Sequence, residues 1–286
     1  MNRVSVFGSS GFIGSRFCEM YPDKVVKVSR NDYKAPTKEL LYFISTVDNY
    51  NIYNDLHVDI ETNLTVLMNV LSELKQEYTV DDPPTINFIS SWFVYGKNNA
   101  IPFKEESYCA PTGFYSITKK CAEDLLICFC NTFGYNYRIL RLANVIGERD
   151  LKVSKKKNAL QYIIKEAVEG REIALYNGGD LLRDYIYVDD ACSAIQTVLT
   201  KGELNEIYNI GSGIPYRFAD IISKAIEIAN SSSKVETIPS TNFHNIVQTK
   251  DAYLDTTKLT SLGFTPKYNI DETVQKLVEY YKKIVK

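Results

Sequence analysis

The chain has 286 residues, a formal net charge of -2, 45% hydrophobic and 24% charged residues, the profile of an ordinary globular protein of one or two domains. It lacks the basic excess of a nucleic-acid binder and the acidic runs of a disordered tail. No apolar run nears the ~18 residues of a spanning helix, and no secretory leader is read at the N-terminus, so a cytoplasmic protein without nucleic-acid or membrane partners is expected.

In chain order, residues 3–7 read as a short apolar strand, followed by a Gly-rich turn and a helix over 12–20. Further strands are expected at 25–28 and 42–47. Leu64, Leu67, Met68 and Leu71 recur at helical spacing and predict a helix over 63–74. After the break at Asp81-Asp82-Pro83-Pro84, residues 85–90 are strand-like, 115–129 helical and 137–142 strand-like. Residues 151–158, rich in lysine (Lys152, Lys155, Lys156, Lys157), lack apolar periodicity and read as a solvated loop; a loop at a phosphate-bearing substrate is the alternative. Beyond it come a helix at 160–168, a strand at 173–176, a helix at 189–199 and a strand at 207–210. Amphipathic helices follow at 218–229 and 271–284, with Ser231-Ser232-Ser233 as a linker. Strands alternating with helices imply βαβ units in an α/β, doubly wound parallel sheet.

Six cysteines, Cys18, Cys109, Cys121, Cys128, Cys130 and Cys192, form no C-x-x-C pair, and the histidines are His57 and His244 alone, so no metal site is expected. Cys128 and Cys130 lie two apart in a helical stretch and point in different directions. The thiols are read as reduced and buried.

Val4-Ser5-Val6-Phe7 runs into Gly8-Ser9-Ser10-Gly11-Phe12-Ile13-Gly14, a strand, then G-x-x-G-x-x-G, then a helix. Gly8 permits the tight turn, Gly11 admits a pyrophosphate to the backbone, and Gly14 lets helix pack on strand. The free N–H groups of the helix start, with Ser10, Phe12 and Ile13, then face the phosphates. With a strand before it and a helix after it, the triplet reads as dinucleotide-binding. The next strand ends in Ser29-Arg30, where Arg30 suits a 2′-phosphate; this favours NADP, with NAD the alternative if Asp32 serves the ribose.

Tyr115-Ser116-Ile117-Thr118-Lys119 is Y-x-x-x-K in a helical stretch, which sets phenol and ammonium on one face. A free phenol has a pKa of about 10; a neighbouring ammonium would lower it and make Tyr115 a usable acid/base. Alone, the spacing reads better as a surface helical pair. Ile89-Ser90-Ser91-Trp92-Phe93-Val94-Tyr95-Gly96 ends a strand in hydroxyls. Ser91 there either hydrogen-bonds a reacting oxygen or caps a turn.

In this order the motifs resemble the extended short-chain dehydrogenase/reductase family, the NAD-dependent epimerase/dehydratase group. Leu140-Arg141-Leu142-Ala143-Asn144-Val145-Ile146-Gly147 resembles its R-x-x-N-V-x-G stretch, and Arg183-Asp184-Tyr185-Ile186-Tyr187-Val188-Asp189-Asp190 its R-D-[FY]-I-x-V-x-D stretch. Tyr208-Asn209-Ile210-Gly211-Ser212-Gly213 and Leu262-Gly263-Phe264-Thr265-Pro266 also fit. The resemblance implies a Rossmann-type domain (1–147 plus 184–213) and a smaller C-terminal substrate domain (148–183 plus 214–286), with the sugar between them. It implies that Tyr115 is the acid/base, that Lys119 assists it and contacts the nicotinamide ribose, and that Ser91 binds the reacting oxygen. Asn144 and Arg183 fall at positions that contact a nucleotide diphosphate; for Arg183 an ion pair with Asp184 or Asp180 is the alternative. It further implies a homodimer built on the helices at 63–74 and 115–129, with Leu125, Leu126 and Phe129 as its face or as core.

Two departures stand out. Between Arg30 and the strand at Tyr42 there is no room for the helix and strand the family usually carries, so the sheet is expected to be a strand short. The family's H-L-A-A after that gap reads Phe43-Ile44-Ser45-Thr46 here. The 4,6-dehydratase branch places Asp-Glu after its catalytic hydroxyl residue, whereas this chain has Trp92-Phe93, which cannot relay protons in that way. Epimerisation of a nucleotide sugar is therefore expected, with reduction of a nucleotide 4-keto sugar by NADPH as the alternative. Reduction of a non-nucleotide carbonyl and a non-catalytic dinucleotide sensor also stay open.

Overall fold

The computed structural model describes residues 3–97, 101–150, 153–154 and 156–285. The chain begins β1 (Val4–Phe7), α1 (Phe12–Met20), β2 (Val25–Lys27) and β3 (Glu39–Tyr42). A helix then starts as α2 (Val58–Ile60), widens into a π turn (Glu61–Thr65) and continues as α3 (Val66–Glu77). Next come β4 (Thr85–Ser91), α4 (Phe114–Phe133), β5 (Asn136–Leu142), β6 (Asn144–Ile146), α5 (Ala159–Val168) and β7 (Ile173–Tyr176). They are followed by β8 (Leu182–Arg183), β9 (Tyr185–Tyr187), α6 (Val188–Lys201), β10 (Glu206–Ile210), β11 (Tyr216–Arg217) and α7 (Phe218–Ala229). The chain closes with β12 (Val235–Ile238), α8 (Asn242–Val247), α9 (Thr257–Ser261) and α10 (Ile270–Ile284).

The central sheet has six strands in the order β10-β5-β4-β3-β1-β2, every neighbouring pair parallel. Side-chain alternation sends each strand's residues to two packed layers. Val4, Val6, Leu41, Leu140 and Leu142 face one cluster with Phe17 of α1 and Ala191 and Ile195 of α6. Phe7, Leu40, Tyr42, Ile86, Phe88 and Ile139 face another with Leu67 and Leu71 of α3 and Ala122 and Leu126 of α4. The fold is the Rossmann type. The switch in strand order falls between β1 and β3, and ligands of such sheets lie outside the strand ends at that crevice. The connection 28–38 runs directly from β2 to β3, with no helix or strand between them.

A third cluster joins α5, α7 and α10 through Leu160, Ile164, Ile221, Ile222, Val274 and Leu277. Helix α10 begins with a reciprocal cap: Asn269 accepts from the Glu272 N–H and the Glu272 carboxylate accepts from the Asn269 N–H. The stretch from Ala252 to Phe264, grouped by sequence with this smaller unit, buries Ala252, Leu254, Leu259 and Phe264 in the first cluster beside the sheet.

The structure corrects several expectations. The third strand is Glu39–Tyr42, before the expected 42–47. Cys18, Cys130 and Cys192 are buried, but Cys109 and Cys121 are half-buried and Cys128 is exposed, because positions two apart on α4 fall on opposite sides. Leu126 lies in the core and Phe129 packs against it, while Leu125 is exposed. Of the lysine-rich stretch, Leu151, Lys152 and Lys155 lie outside the described residues. Lys157, expected in solvent, pairs with Asp150 at 2.7 Å and lines a cavity. No helix among the described residues is long and apolar enough to cross a membrane.

Candidate active site

The turn leaving β1 needs its glycines. Gly8 holds φ at +79°, and a Cβ on Gly14 would lie 2.4 Å from the Gly8 carbonyl oxygen. Gly11 caps α1 without any side-chain hydrogen bond, so the first-turn N–H groups of Phe12, Ile13 and Gly14 are left to a ligand, at the positive end of the helix. These residues and Ser10 form one end of a cavity of about 680 Å³ whose wall continues through Phe43, Ser45 and Asn49 to Ser91, Trp92, Phe93, Tyr115, Lys119 and Asn144. The sheet thus brings together the glycine turn, the strand-end serine and the Y-x-x-x-K helix.

Ser91 ends β4. Its Oγ accepts the Phe93 N–H at 3.3 Å and so caps the 3-10 turn that follows, and the residue shares the cavity wall with Tyr115. The turn-cap reading of that serine holds. Tyr115 leaves the first turn of α4, with the Phe93 ring edge-on at 6.0 Å. Burial pushes its phenol above the ordinary tyrosine range; hydrogen bonds from Ser91 and Ser45 pull it down, and the charge of Asp59 pushes it up.

Lys119 behaves otherwise than its spacing suggests. Its Nζ donates to the Ile89 carbonyl at 2.6 Å and sits 4.0 Å from the Phe88 ring centre. Burial lowers it to about 7, opposed by Glu123. The lysine is desolvated, which removes much of the charge that would have acidified the phenol. Behind it, Glu123 takes two hydrogen bonds from Arg141, at 3.1 and 2.7 Å, and one from Ser90 at 2.5 Å, all buried.

Asn144 lines the cavity with its amide already engaged: it donates to the Asp184 carbonyl at 2.9 Å and accepts from the Trp92 indole at 3.3 Å. Arg183 lies elsewhere. Its guanidinium donates to the carbonyls of Leu182, Thr249 and Lys250 and lines a second cavity of about 340 Å³ with Lys97, His244 and Lys250. Burial lowers it to about 10. It pairs with neither Asp180 nor Asp184: Asp180 meets Arg217 and Lys250, and Asp184 accepts from Ser212 and Gly213. The Arg183 guanidinium stands 5.2 Å from the ring of Trp92, a wall residue of the larger cavity. Ser29 and Arg30 are exposed beyond β2 and outside the lining of either cavity.

Two polar wall residues were not singled out by sequence. Asn49 presents a buried Oδ1 without a hydrogen-bond partner. Ser45 was visible only as a departure from an alanine pattern.

The chain belongs to the NAD dependent epimerase/dehydratase family, whose model matches residues 41–211. A low-salt glycan biosynthesis protein, Agl12, of Haloferax volcanii is 25% identical over 97% of this chain and 98% of its own length. The dTDP-D-glucose 4,6-dehydratase of Mus musculus is 28% identical over 98% and 89%. Among solved structures, a UDP-glucose 4-epimerase of Thermotoga maritima with UDP-glucose superimposes with a TM-score of 0.87 at 24% identity, all of both chains covered. RMD of Pseudomonas aeruginosa with NADPH superimposes at 0.84 and 19%, covering 99% of this chain and 100% of its own.

Proposed function

We propose that the protein is an NAD(P)-dependent nucleotide-sugar epimerase. The observation that carries this reading is the presence of Ser91 and Tyr115 on the wall of the same cavity as an uncapped, glycine-lined helix start. The space at Gly14, the free first-turn N–H groups and the orphaned Asn49 oxygen suit a dinucleotide. Gly8, Ser10, Gly11, Phe12, Ile13 and Gly14 would hold its phosphates and Lys119 its ribose. When bound, the nicotinamide supplies a reversible hydride acceptor. Tyr115 takes the proton of the sugar hydroxyl and later returns it, while Ser91 hydrogen-bonds the same oxygen. Asn144 and Arg183 would serve the nucleotide diphosphate, and solved relatives that carry UDP-sugars support that class. Unpaired cysteines fit a cytoplasmic setting, and exposed Ile117 and Leu125 on α4 fit a homodimer.

Trp92 and Phe93 carry no carboxyl for water loss, which disfavours the dehydratase chemistry named for several relatives. The second reading is a 4-keto-sugar reductase using NADPH, in which the same Tyr115 and Ser91 would serve.

The test incubates the protein with UDP- and dTDP-hexoses and either dinucleotide and follows products by chromatography. An epimer formed without net cofactor use is expected. A 4-keto-6-deoxy product would make it a dehydratase, and stoichiometric NADPH consumption with a 4-keto sugar a reductase. Tyr115→Phe should lower turnover by about 10²–10⁴-fold with dinucleotide affinity retained; near-normal turnover would remove Tyr115 from the reaction.

A further inference from the structure

The 3-10 turn Trp92–Tyr95 follows directly on Ser91. Trp92, Val94 and Tyr95 are buried in it, whereas Phe93 is half-buried and lines the cavity that holds Tyr115. The Phe93 backbone is fixed: its N–H donates to Ser91 Oγ and its carbonyl accepts the Gly96 N–H at 3.1 Å. The Trp92 indole stacks on its ring, with centroids 4.0 Å and planes 28° apart. That indole is held in turn, since its N–H donates to Asn144 and the Arg183 guanidinium lies 5.2 Å from its ring. The Tyr115 ring meets Phe93 edge-on at 6.0 Å. A series of contacts thus leads from Tyr115 through Phe93 and Trp92 to Arg183, which lines the second cavity and not the one with the glycine turn.

We propose that Phe93 is a specificity-determining residue: its ring is an apolar platform for the sugar and selects a hexose whose exocyclic carbon is a methyl group over one carrying a hydroxyl or carboxylate there. This rests on the nucleotide-sugar reading, with the reacting hydroxyl at Tyr115 and the diphosphate at Arg183. A sugar spanning those two groups lies along Phe93 and Trp92. Neither ring offers it a hydrogen bond, because the indole N–H is already given to Asn144 and the phenyl ring has no polar atom. Ring hydroxyls are common to most hexoses, whereas the exocyclic carbon varies from methyl to hydroxymethyl to carboxylate. A methyl group gains by burial against the ring. A hydroxyl there loses water without a new partner, and a carboxylate loses far more. The ring is already fixed, so little order has to be gained on binding. The contacts lead to the arginine and not to the phosphate cradle, which favours the sugar over the nicotinamide as the occupant.

The experiment measures by calorimetry, on the full-length protein, the affinities of UDP-6-deoxyglucose, UDP-glucose, UDP-glucuronate and UDP alone, and of the dTDP counterparts of the first two. The 6-deoxy sugar should bind about 10–10²-fold more tightly than its 6-hydroxyl counterpart, and the glucuronate more weakly than either. Phe93→Gln should abolish that preference, and Phe93→Leu, which stays apolar, should keep it, with UDP binding as the check that both variants are folded. Equal affinities in the unaltered protein, or a preference that Phe93→Gln leaves intact, overturns the role of Phe93. A fall in dinucleotide affinity in Phe93→Gln with the sugar preference kept also overturns it and gives the ring to the nicotinamide. Binding of the dinucleotide but of none of the nucleotide sugars overturns the nucleotide-sugar reading beneath it.

Discussion

Lys119 is sealed among Ile89, Phe88 and Glu123 at 1% exposure, and burial brings it from 10.5 to about 7. Such a group binds a proton in the unfolded chain at pH values where the folded chain does not. Between about 7 and 10.5 the unfolded state therefore holds more protons, and the contribution of Lys119 to stability rises with pH; below 7 it is a constant penalty. The unfolding free energy of the parent minus that of Lys119→Met should climb across that interval in denaturant titrations. A flat difference would mean that the ammonium is solvated. Glu123 and Arg141 beside it satisfy each other fully, so the lysine has little claim on that carboxylate. The spacing Y-x-x-x-K placed both side chains on one helix face, yet whether the ammonium reaches the phenol depended on a carbonyl from another strand. Nothing in the helix's own sequence encodes Ile89. Ser45 was illegible for the same reason, since a loop hydroxyl reaches the cavity wall only through tertiary folding.

At the scale of elements, glycines and helical periodicity were the readable signals. The helices Phe12–Met20 and Phe218–Ala229 follow the expected limits because a Gly turn starts the first and Asn230 in the left-handed region ends the second. Gly14→Ala should confirm the tightness of the first turn: with 2.4 Å to the Gly8 carbonyl, backbone must move, and dinucleotide affinity measured by calorimetry should fall at least tenfold. Unchanged affinity would show that the turn is slack. Strand β3 was misplaced because Leu40-Leu41-Tyr42-Phe43-Ile44 is apolar throughout and buried strands lack alternation. Pairing decides its limits instead: Tyr42 stands opposite Phe7 and Phe88, and Phe43 gives β1 its last hydrogen bond. The π turn left no mark in the pattern of apolar residues, since Asn63, the residue it turns inward, is polar.

Across the whole molecule, two cores on the sheet and a third around α10 divide the burial. Leu277 is fully buried in the third and is not among the residues lining the glycine cavity. Leu277→Ala should lower the unfolding free energy by about 2–5 kcal/mol in chemical denaturation, while dinucleotide affinity stays unchanged. Loss of that affinity would mean that the smaller unit shapes the glycine turn. The R-D-Y and Y-N-I-G-S-G segments, far apart in sequence, proved to be one joint, because Asp184 accepts from Ser212 and Gly213.

The direct passage from β2 to β3 has an effect at the rim of the molecule. It leaves β2, only Val25–Lys27, as the outermost strand, hydrogen-bonded on one side. A stub of about 10 Å, flanked by exposed Lys24, Lys27 and Arg30, offers a stray polypeptide too little template and too much charge for cross-β growth. The margin at β2 is thus poorly suited to templating a foreign strand.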